Sequence, residues 1–407
     1  MTDTDFDIVV VGAGAAGISA ALAFARDGFR TCLVGTPEAR PDGRTVALLD
    51  GSVRFLKALG AWPTLEGDAA RLAVMRIIDD TGSLFRPPPV TFTAEEIGLD
   101  AFGWNVENAT LVKRLGSAAK ADDNLRIVAP LAEKLEHKEK LAELSLNDGS
   151  RLTCWVVVAA DGRNSRIRAG AGVPARTWSY PQMALTTILA HDRAHESAST
   201  EFHTRHGPFT LIPLPGRRSS LVWVCDPEHG KRLMALDDAA LARAVEGQAQ
   251  SLLGAMRIDG PRGLVPLSGL SVDRYVSSRL ALIGEAAHVF PPIGAQGLNL
   301  GFRDVAALRD ALVDARDAGE DIGGEAALAH YQSGRSLDVQ LRTAAVDGLN
   351  RSLLSGLLPV DLLRGVGLLA MSGIGPLRRA VMREGVLPSV GAPRLMRDDP
   401  RQIAPAR

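Results

Sequence analysis

Between Leu282 and Asp304 the chain reads LIGEAAHVFPPIGAQGLNLGFRD, which gathers two acids, one histidine, two side-chain amides and four glycines into a single stretch. Ala281 to Ile283 reads as a buried strand that Gly284 and Glu285 bring to an end. Gly294, Gly297 and Gly301 then surround Gln296 and Asn299, and a helical pattern follows with Asp304 in an early turn. A strand that opens into a glycine-rich helix start exposes unpaired backbone N–H groups at the positive end of the helix dipole, which suits an anionic or electron-rich ligand. An acid at the strand end suits a sugar hydroxyl. A tight corner in which glycine only relieves crowding is the bland alternative, and it weakens because two other stretches ask for the same ligand.

The first of these is FDIVVVGAGAAG. Phe6 to Val11 is a β-branched run, Gly12, Gly14 and Gly17 follow with Ala15 and Ala16 between them, and Ile18 to Arg26 is alanine-rich and helical. Gly28 stops the helix and Thr31 to Val34 is a second strand. This is a βαβ unit with GxGxxG at its first turn: one glycine for the turn, one for close approach of a pyrophosphate, one for helix–strand packing. The acid that would grip a ribose at the end of the second strand is missing, because that position is Gly35; Glu38 stands too late in the turn. The second stretch ends the apolar run Trp155 to Ala160 with Asp161 and Gly162, then Ser165 and Arg168. Alone it reads as a plain turn or as a carboxylate beside a nucleotide. Arg44, before an apolar segment, is either a surface cation or a phosphate contact.

The elements that must position these residues follow from patterning. At 407 residues the chain is too long for one ordinary core, so two lobes are expected. Pro41 to Leu59 reads as a loop then a helix, Trp104 to Leu115 as helix with Asn108 inside it, and Leu141 to Asp161 as a hairpin and strand turned by Asn147-Asp148-Gly149. Met183 to Leu189, Phe209 to Leu214 and Ser219 to Cys225 alternate as antiparallel strands, and Leu233 to Leu253 reads as one amphipathic helix over them. Trp223 is either core or pocket lining. Val305 to Ala318 and Glu325 to Asp347 are helical, and Leu353 to Val381 is hydrophobic but too interrupted to span a bilayer. That last segment is either a helical pair packed on the first lobe or an interfacial, partner-binding face.

Composition excludes several classes. A net charge of −1 gives no pull toward nucleic acid. No secretory signal is visible at the start. Cys32, Cys154 and Cys225 each sit in an apolar run with no CxxC spacing, which reads as reduced core thiols of a cytoplasmic protein. His203 and His206 have metal-like spacing without a third ligand nearby, so no metal is expected.

Taken together, GAGAAG at 12, DGRNSRIR at 161 and GEAAHVFPPIGAQGLNLG at 284 resemble the single-component flavin-dependent aromatic hydroxylases, the para-hydroxybenzoate hydroxylase group, and more narrowly the ubiquinone-biosynthesis hydroxylases. The resemblance spans Phe6 to about Arg342 and includes DGRTVAL, VENATL and GPFTLIPLPGRRSSLVW. It implies an α/β fold: a Rossmann-like FAD-binding domain (1–74, 103–175 and 272–330), an inserted antiparallel-sheet substrate domain (75–102 and 176–271) and a C-terminal helical segment (331–390). It implies non-covalent FAD, with Gly12, Gly14, Ala15, Ala16 and Gly17 at the pyrophosphate and Arg44 and Asn108 near the phosphates and ribityl chain. Asp161 and Gly162 would meet FAD and the nicotinamide donor. Gly284 and Glu285, the latter where the family usually has aspartate, would meet a ribityl hydroxyl. Gly294, Ala295, Gln296, Gly297, Leu298 and Asn299 would offer N–H groups to the flavin ring, with Pro292 at its reactive edge. His288 is the nearest candidate for a general base by sequence and is as readily structural. NADH or NADPH as a transient reductant, O2, and a polyprenyl or simple phenol complete the implied reaction. A membrane surface or a ubiquinone-biosynthesis complex would be reached through the C-terminal segment, making the protein cytoplasmic or membrane-peripheral. A halogenase would carry WxWxIP, which is absent; an isoprenoid reductase and a non-enzymatic scaffold are the remaining rivals.

Overall fold

The computed structural model describes residues 4–82, 88–291, 296–354, 375–386 and 391–397. Phe6–Val11 lies at the centre of a sheet, parallel to Arg151–Ala159 on one side (Val9 opposite Val157) and to Thr31–Val34 on the other (Val9 opposite Cys32). Leu280–Leu282 and Leu125–Val128 extend it outward, again in parallel. Strands covered on both faces need apolar residues at consecutive positions, and Val9, Val10, Val157 and Val158 are fully buried. Helix Ala15–Arg26 returns over this sheet at close range. A Cβ on Gly17 would lie 1.9 Å from the Gly12 carbonyl oxygen, and one on Gly12, at φ +112°, would lie 2.3 Å from the Ala160 oxygen. No side chain fits either place.

A second, nine-stranded sheet is mostly antiparallel. Its long strand Ala175–His191 pairs with Arg218–Cys225 and Gly263–Val272, and Gly207–Leu214, Ala198–Thr204, Val74–Asp79 and Val90–Thr93 follow outward. Leu185, Phe202, Phe209, Leu211, Leu221 and Trp223 line one face and form a separate core under helices Pro227–Ala235 and Asp238–Gln248. Trp223 therefore belongs to that core. A three-stranded sheet, Thr45–Leu49, Gly103–Glu107 and Ala70–Leu72, joins the two larger ones. Thr45 Oγ1 donates to Ser220 Oγ at 2.8 Å, and Asn105 Nδ2 donates to the Pro213 carbonyl at 2.9 Å.

Several expected elements differ. Thr45–Leu49 is a strand and not loop, and Gly103–Glu107 is its partner strand, so helix begins only at Asn108. Each short run is made a strand by the other, 58 residues away from Leu49 to Glu107 in the chain and paired only in the fold. The expected single helix at 233–253 is two, because Asp237 caps a new start by accepting from the Ala240 N–H at 2.7 Å. The helix expected after the glycines, with Asp304 in an early turn, runs from Gln296 to Asp317. Strands Ala198–Thr204 and Gly263–Val272 were not anticipated.

At the C-terminal end, helix Glu325–Leu354 packs on Gln296–Asp317, whereas Gly375–Val386 packs elsewhere. Met382 and Val386 bury against Val90, Phe92 and Ile97, and Arg378 stacks 4.4 Å over the Phe92 ring while bonding Glu96. That ion pair holds the Glu96 carboxyl down at about 2. This helix thus rests on the strand Val90–Thr93 and the turn Ala94–Ile97. Residues 355–374, with most of the expected hydrophobic stretch, lie outside the described residues. Among the described residues no helix is long and apolar enough to cross a membrane. Cys32, Cys154 and Cys225 are buried free thiols, and burial pushes the Cys32 and Cys154 groups up to about 12.

The three parts of the 282–354 region are locked by one carboxylate. Asp304 is fully buried, and its Oδ2 accepts from the Gly284 N–H at 2.9 Å and lies 2.6 Å from His288 Nε2. Its Oδ1 accepts from Arg335 Nε at 2.8 Å. Burial alone would raise the Asp304 pKa; His288, Arg335 and the Gly284 N–H outweigh it and hold the group below its usual range. A depressed folded pKa gives stability that is complete above the unfolded value of 3.8 and lost as pH falls through the folded value. Asp304→Ala should therefore lower stability by about 3–5 kcal/mol at neutral pH, because it strands a buried arginine. In denaturant titrations across pH, the gap to wild type should stay constant above about pH 4 and narrow below it. A gap under about 1 kcal/mol at pH 7 contradicts this role.

Candidate active site

The three stretches singled out by sequence meet at one place. The Gly12 turn touches Ala160, the residue before Asp161. A Cβ on Gly284 would lie 3.5 Å from Ala16 Cβ and 4.0 Å from Gly301 Cα, so helix Ala15–Arg26, the turn Gly284–Ala286 and helix Gln296–Asp317 converge on small residues. Arg168 ties the other two together: its Nη1 donates to the Ala286 carbonyl at 2.8 Å and its Nη2 to the Arg163 carbonyl at 2.9 Å.

Around this junction, several groups are left open. In contrast to Gly12 and Gly17, a Cβ on Gly14 would meet nothing within 4 Å. The N-cap of helix Ala15–Arg26 makes no side-chain hydrogen bond and its first turn carries no acid, so the N–H groups of Ala15, Ala16 and Gly17 face that space uncompensated. Such an end accepts an anion. Asp161 Oδ2 accepts from the Arg166 N–H at 2.9 Å at the start of helix Arg166–Gly170, which Ser165 caps, while its Oδ1 is buried without a partner. An orphaned carboxylate oxygen is costly unless a ligand or water completes it. Gly162, at φ +84°, leaves open space beside it. Glu285 is exposed, with no hydrogen-bond partner among the described residues. These groups suit a dinucleotide, with an anionic pyrophosphate at the helix start and a sugar hydroxyl at Glu285.

Arg44 and Asn108 are brought side by side, because Thr45 pairs with Glu107 and the Asn108 N–H donates to the Arg44 carbonyl at 3.0 Å. The Arg44 guanidinium is exposed and bonds Asp42 at 2.6 Å. An exposed pair of this kind is weak and can yield to a phosphate. The missing ribose acid at Gly35 has a cause: the residue has φ +123°, and a Cβ there would sit 3.3 Å from Ala13 Cβ. Glu38 is engaged by Arg40 instead.

Gln296, Gly297, Leu298 and Asn299 form the first turn of helix Gln296–Asp317, where backbone N–H groups have no partner within the helix. The Asn299 side chain turns inward. Its Oδ1 accepts from the Leu49 N–H at 2.9 Å and Ser52 Oγ at 2.6 Å, and its Nδ2 donates to the Ala47 carbonyl at 2.8 Å. It clamps the helix start to the Thr45–Leu49 strand and leaves only backbone for a ligand. Pro292, Gly294 and Ala295 lie outside the described residues. His288, read as either a general base or a structural residue, is 1% exposed and lies against Asp304. Asp304 and Arg335 were missed as a pair, since nothing in sequence links residues 31 apart on different helices.

His203 is buried and His206 exposed, and among the described residues no group of three His, Cys, Asp or Glu side chains is arranged for a metal. A cleft of about 270 Å³ lined by Arg76, Arg193, His195 and Leu252 lies on the helix-covered side of the second sheet, away from this junction.

Residues 5–343 match the family model described as an FAD binding domain. The chain is 35% identical to a Rhodospirillum rubrum protein named ubiquinone hydroxylase UbiL, over 97% of this chain and 93% of that protein. It is 31% identical to the 3-demethoxyubiquinol 3-hydroxylase of Escherichia coli, over 94% of this chain and 99% of that one. Among solved structures, Pseudomonas aeruginosa PqsL in complex with 2-aminobenzoylacetate shares 25% identity with a TM-score of 0.73, covering 89% of this chain and 99% of PqsL. Klebsiella pneumoniae HpxO, complexed with FAD and uric acid, has the same fold at a TM-score of 0.75 and 19% identity, covering 94% and 97%. The chain belongs to the FAD binding domain family and is an FAD-dependent monooxygenase of the aromatic hydroxylase group.

Proposed function

We propose that this monooxygenase hydroxylates the ring of a neutral polyprenyl phenol on the route to ubiquinone, with NADH or NADPH as a transient reductant. The observation that carries the substrate class is the similarity, over nearly the whole chain, to two proteins named for ubiquinone-type substrates. The second sheet supports it. An aromatic acid needs a free guanidinium near the ring, but Arg217 bonds the Asp192 carbonyl, Arg218 pairs with Asp259 and Glu107, and Arg205 is exposed and bonds the Thr81 carbonyl.

When bound, FAD supplies electron transfer from the nicotinamide to O2 and delivery of one oxygen atom to the ring. The chain's own groups hold and shield it. Gly14 and the N–H groups of Ala15, Ala16 and Gly17 would receive the pyrophosphate, Arg44 would add a phosphate contact and Asn108 would stand beside it. Glu285 would accept from a ribityl hydroxyl. Asp161 Oδ1 and the open backbone at Gly162 would face the cofactor and the visiting nicotinamide. The first-turn N–H groups of Gln296 to Asn299 would face the flavin ring, and Pro292, Gly294 and Ala295 are assigned to the same edge by resemblance alone. Only one GxGxxG fingerprint stands in the chain, so the nicotinamide would use a groove and not a domain of its own. The first and third sheets with helix Gln296–Asp317 would make the cofactor lobe, and the second sheet a roof that keeps water from the reacting ring. A polyprenyl tail is nearly insoluble, so the apolar C-terminal stretch is assigned to a membrane surface or a biosynthetic complex.

Glu285→Ala should weaken FAD binding by about 1–3 kcal/mol in titrations of apo-protein, the usual loss for a charge-assisted hydrogen bond. Gly14→Val should fold, since the space is open, yet bind FAD more weakly still; wild-type affinity in both variants would sink the assignment. Deleting the gene should accumulate a prenylated, under-hydroxylated ubiquinone precursor in lipid extracts analysed by mass spectrometry. Normal ubiquinone with lost growth on a simple aromatic acid would establish a catabolic hydroxylase instead.

A further inference from the structure

The face of the second sheet opposite helices Pro227–Ala235 and Asp238–Gln248 can be traced by pairing. Residues opposite one another on neighbouring strands share a face, and side chains alternate along each strand. Ser220 pairs with Ile212, Val222 with Thr210, and Thr210 with Glu201; His203 follows Glu201 two positions on. This row lies on the face opposite Phe209, Leu221, Trp223 and the covering helices. Ser220 carries the bond from Thr45, so the row looks toward the small sheet that bears Arg44 and Asn108. Glu201 stands about 7 Å along the strands from that contact, two residues of rise.

Glu201 is the carboxylate of this row, beside Thr210 and His203, with Val222 and Ile212 further along it. Its Oε1 is 2.8 Å from His203 Nε2, and its Oε2 accepts from Thr210 Oγ1 at 3.3 Å. The Glu201 side chain remains 22% exposed, while that of His203 is 6% exposed. Burial pushes the Glu201 pKa up, but the bonds from His203 and Thr210 outweigh it and keep the group ionised. Among the described residues, Asp79 lies opposite His203 on the neighbouring strand and accepts from the Thr81 N–H and hydroxyl. His203 Nδ1 is buried with no partner. A partly exposed carboxylate held by two donors keeps lone pairs free for a further donor.

We propose that Glu201, held by His203 and Thr210, accepts the hydrogen bond of the substrate's phenolic hydroxyl and repels aromatic carboxylates, which makes it a specificity-determining residue. The assignment rests on the hydroxylase reading of the preceding section and deepens it. It gives the roof its recognition group: a neutral phenol donates to the carboxylate, its methyl ether has no proton to give, and an aromatic acid brings a second negative charge.

The test uses purified FAD-loaded protein, with 2-prenylphenol, its methyl ether and 4-hydroxybenzoate as probes and binding followed by the flavin absorbance. Wild type should bind the phenol at least about tenfold more tightly than the ether, as sites built around a substrate hydroxyl do. Glu201→Met should bring the two ligands to near parity while retaining FAD. Glu201→Gln, nearly isosteric and less disruptive to folding, should bind 4-hydroxybenzoate at least about tenfold more tightly than wild type, because the like charge is gone. A wild-type phenol-to-ether ratio kept by Glu201→Met, or unchanged 4-hydroxybenzoate binding by Glu201→Gln, overturns the assignment of Glu201 alone if wild type still hydroxylates phenols. Wild type that turns over only the aromatic acid overturns both this assignment and the phenol reading beneath it.

Discussion

Asp304 sets the geometry on which the cofactor side of the molecule depends. It is a buried carboxylate with four oxygen lone-pair directions to satisfy, and it takes donors from the Gly284 backbone, His288 and Arg335. Those donors belong to the turn after the outer strand Leu280–Leu282, the short strand beyond it and the long helix Glu325–Leu354. Arg335 also bonds Asp338, which in turn bonds Arg303 one residue before Asp304. Removing any one member would strand the rest in a low-dielectric interior, so the network specifies one arrangement of the helix that opens toward the cofactor. Tyr331 reinforces it by donating to the Leu282 carbonyl at 2.8 Å.

From that fixed frame the division of labour between the sheets follows. Glycine at 12 and 17 lets a helix sit on a parallel sheet without side chains between them, whereas glycine at 14 opens a space in front of the helix start. The strand His288–Val289 crosses to the second sheet and pairs with Gly263–Val272, and Ser220 and Asn105 join that sheet to the smaller one. The roof is therefore stitched to the cofactor side at two separate places. Rigid placement of this kind is what a monooxygenase requires, because oxygen delivery succeeds only with the ring held close and water excluded.

Local chemistry was legible in the sequence and long-range pairing was not. GAGAAG, Asp161-Gly162 and Gly284-Glu285 could be read because each is a turn whose glycines and acids act within a few residues. Thr45–Leu49 and Gly103–Glu107 could not, since TVALL and GWNVE have little strand character until they pair. The Asp237 cap was visible as a residue type but was hidden inside a helical pattern. Asn299 was rightly placed at a helix start, yet its amide serves the fold, which depends on Ser52 and Leu49 from a distant segment. His203 was noticed with His206 as a metal-like pair. The i, i+2 relation of Glu201 and His203 on one strand face was the stronger signal, and it becomes visible only once Ala198–Thr204 is known to be a strand.

The most direct measurement is the fate of isotopically labelled O2 in a reaction of the FAD-loaded protein with NAD(P)H and a prenylated phenol. The account predicts one labelled oxygen atom in the ring-hydroxylated product and consumption of donor, oxygen and phenol in equal amounts. Donor consumption that yields only labelled hydrogen peroxide with every prenylated phenol, or a reduced product formed without oxygen uptake, would contradict it.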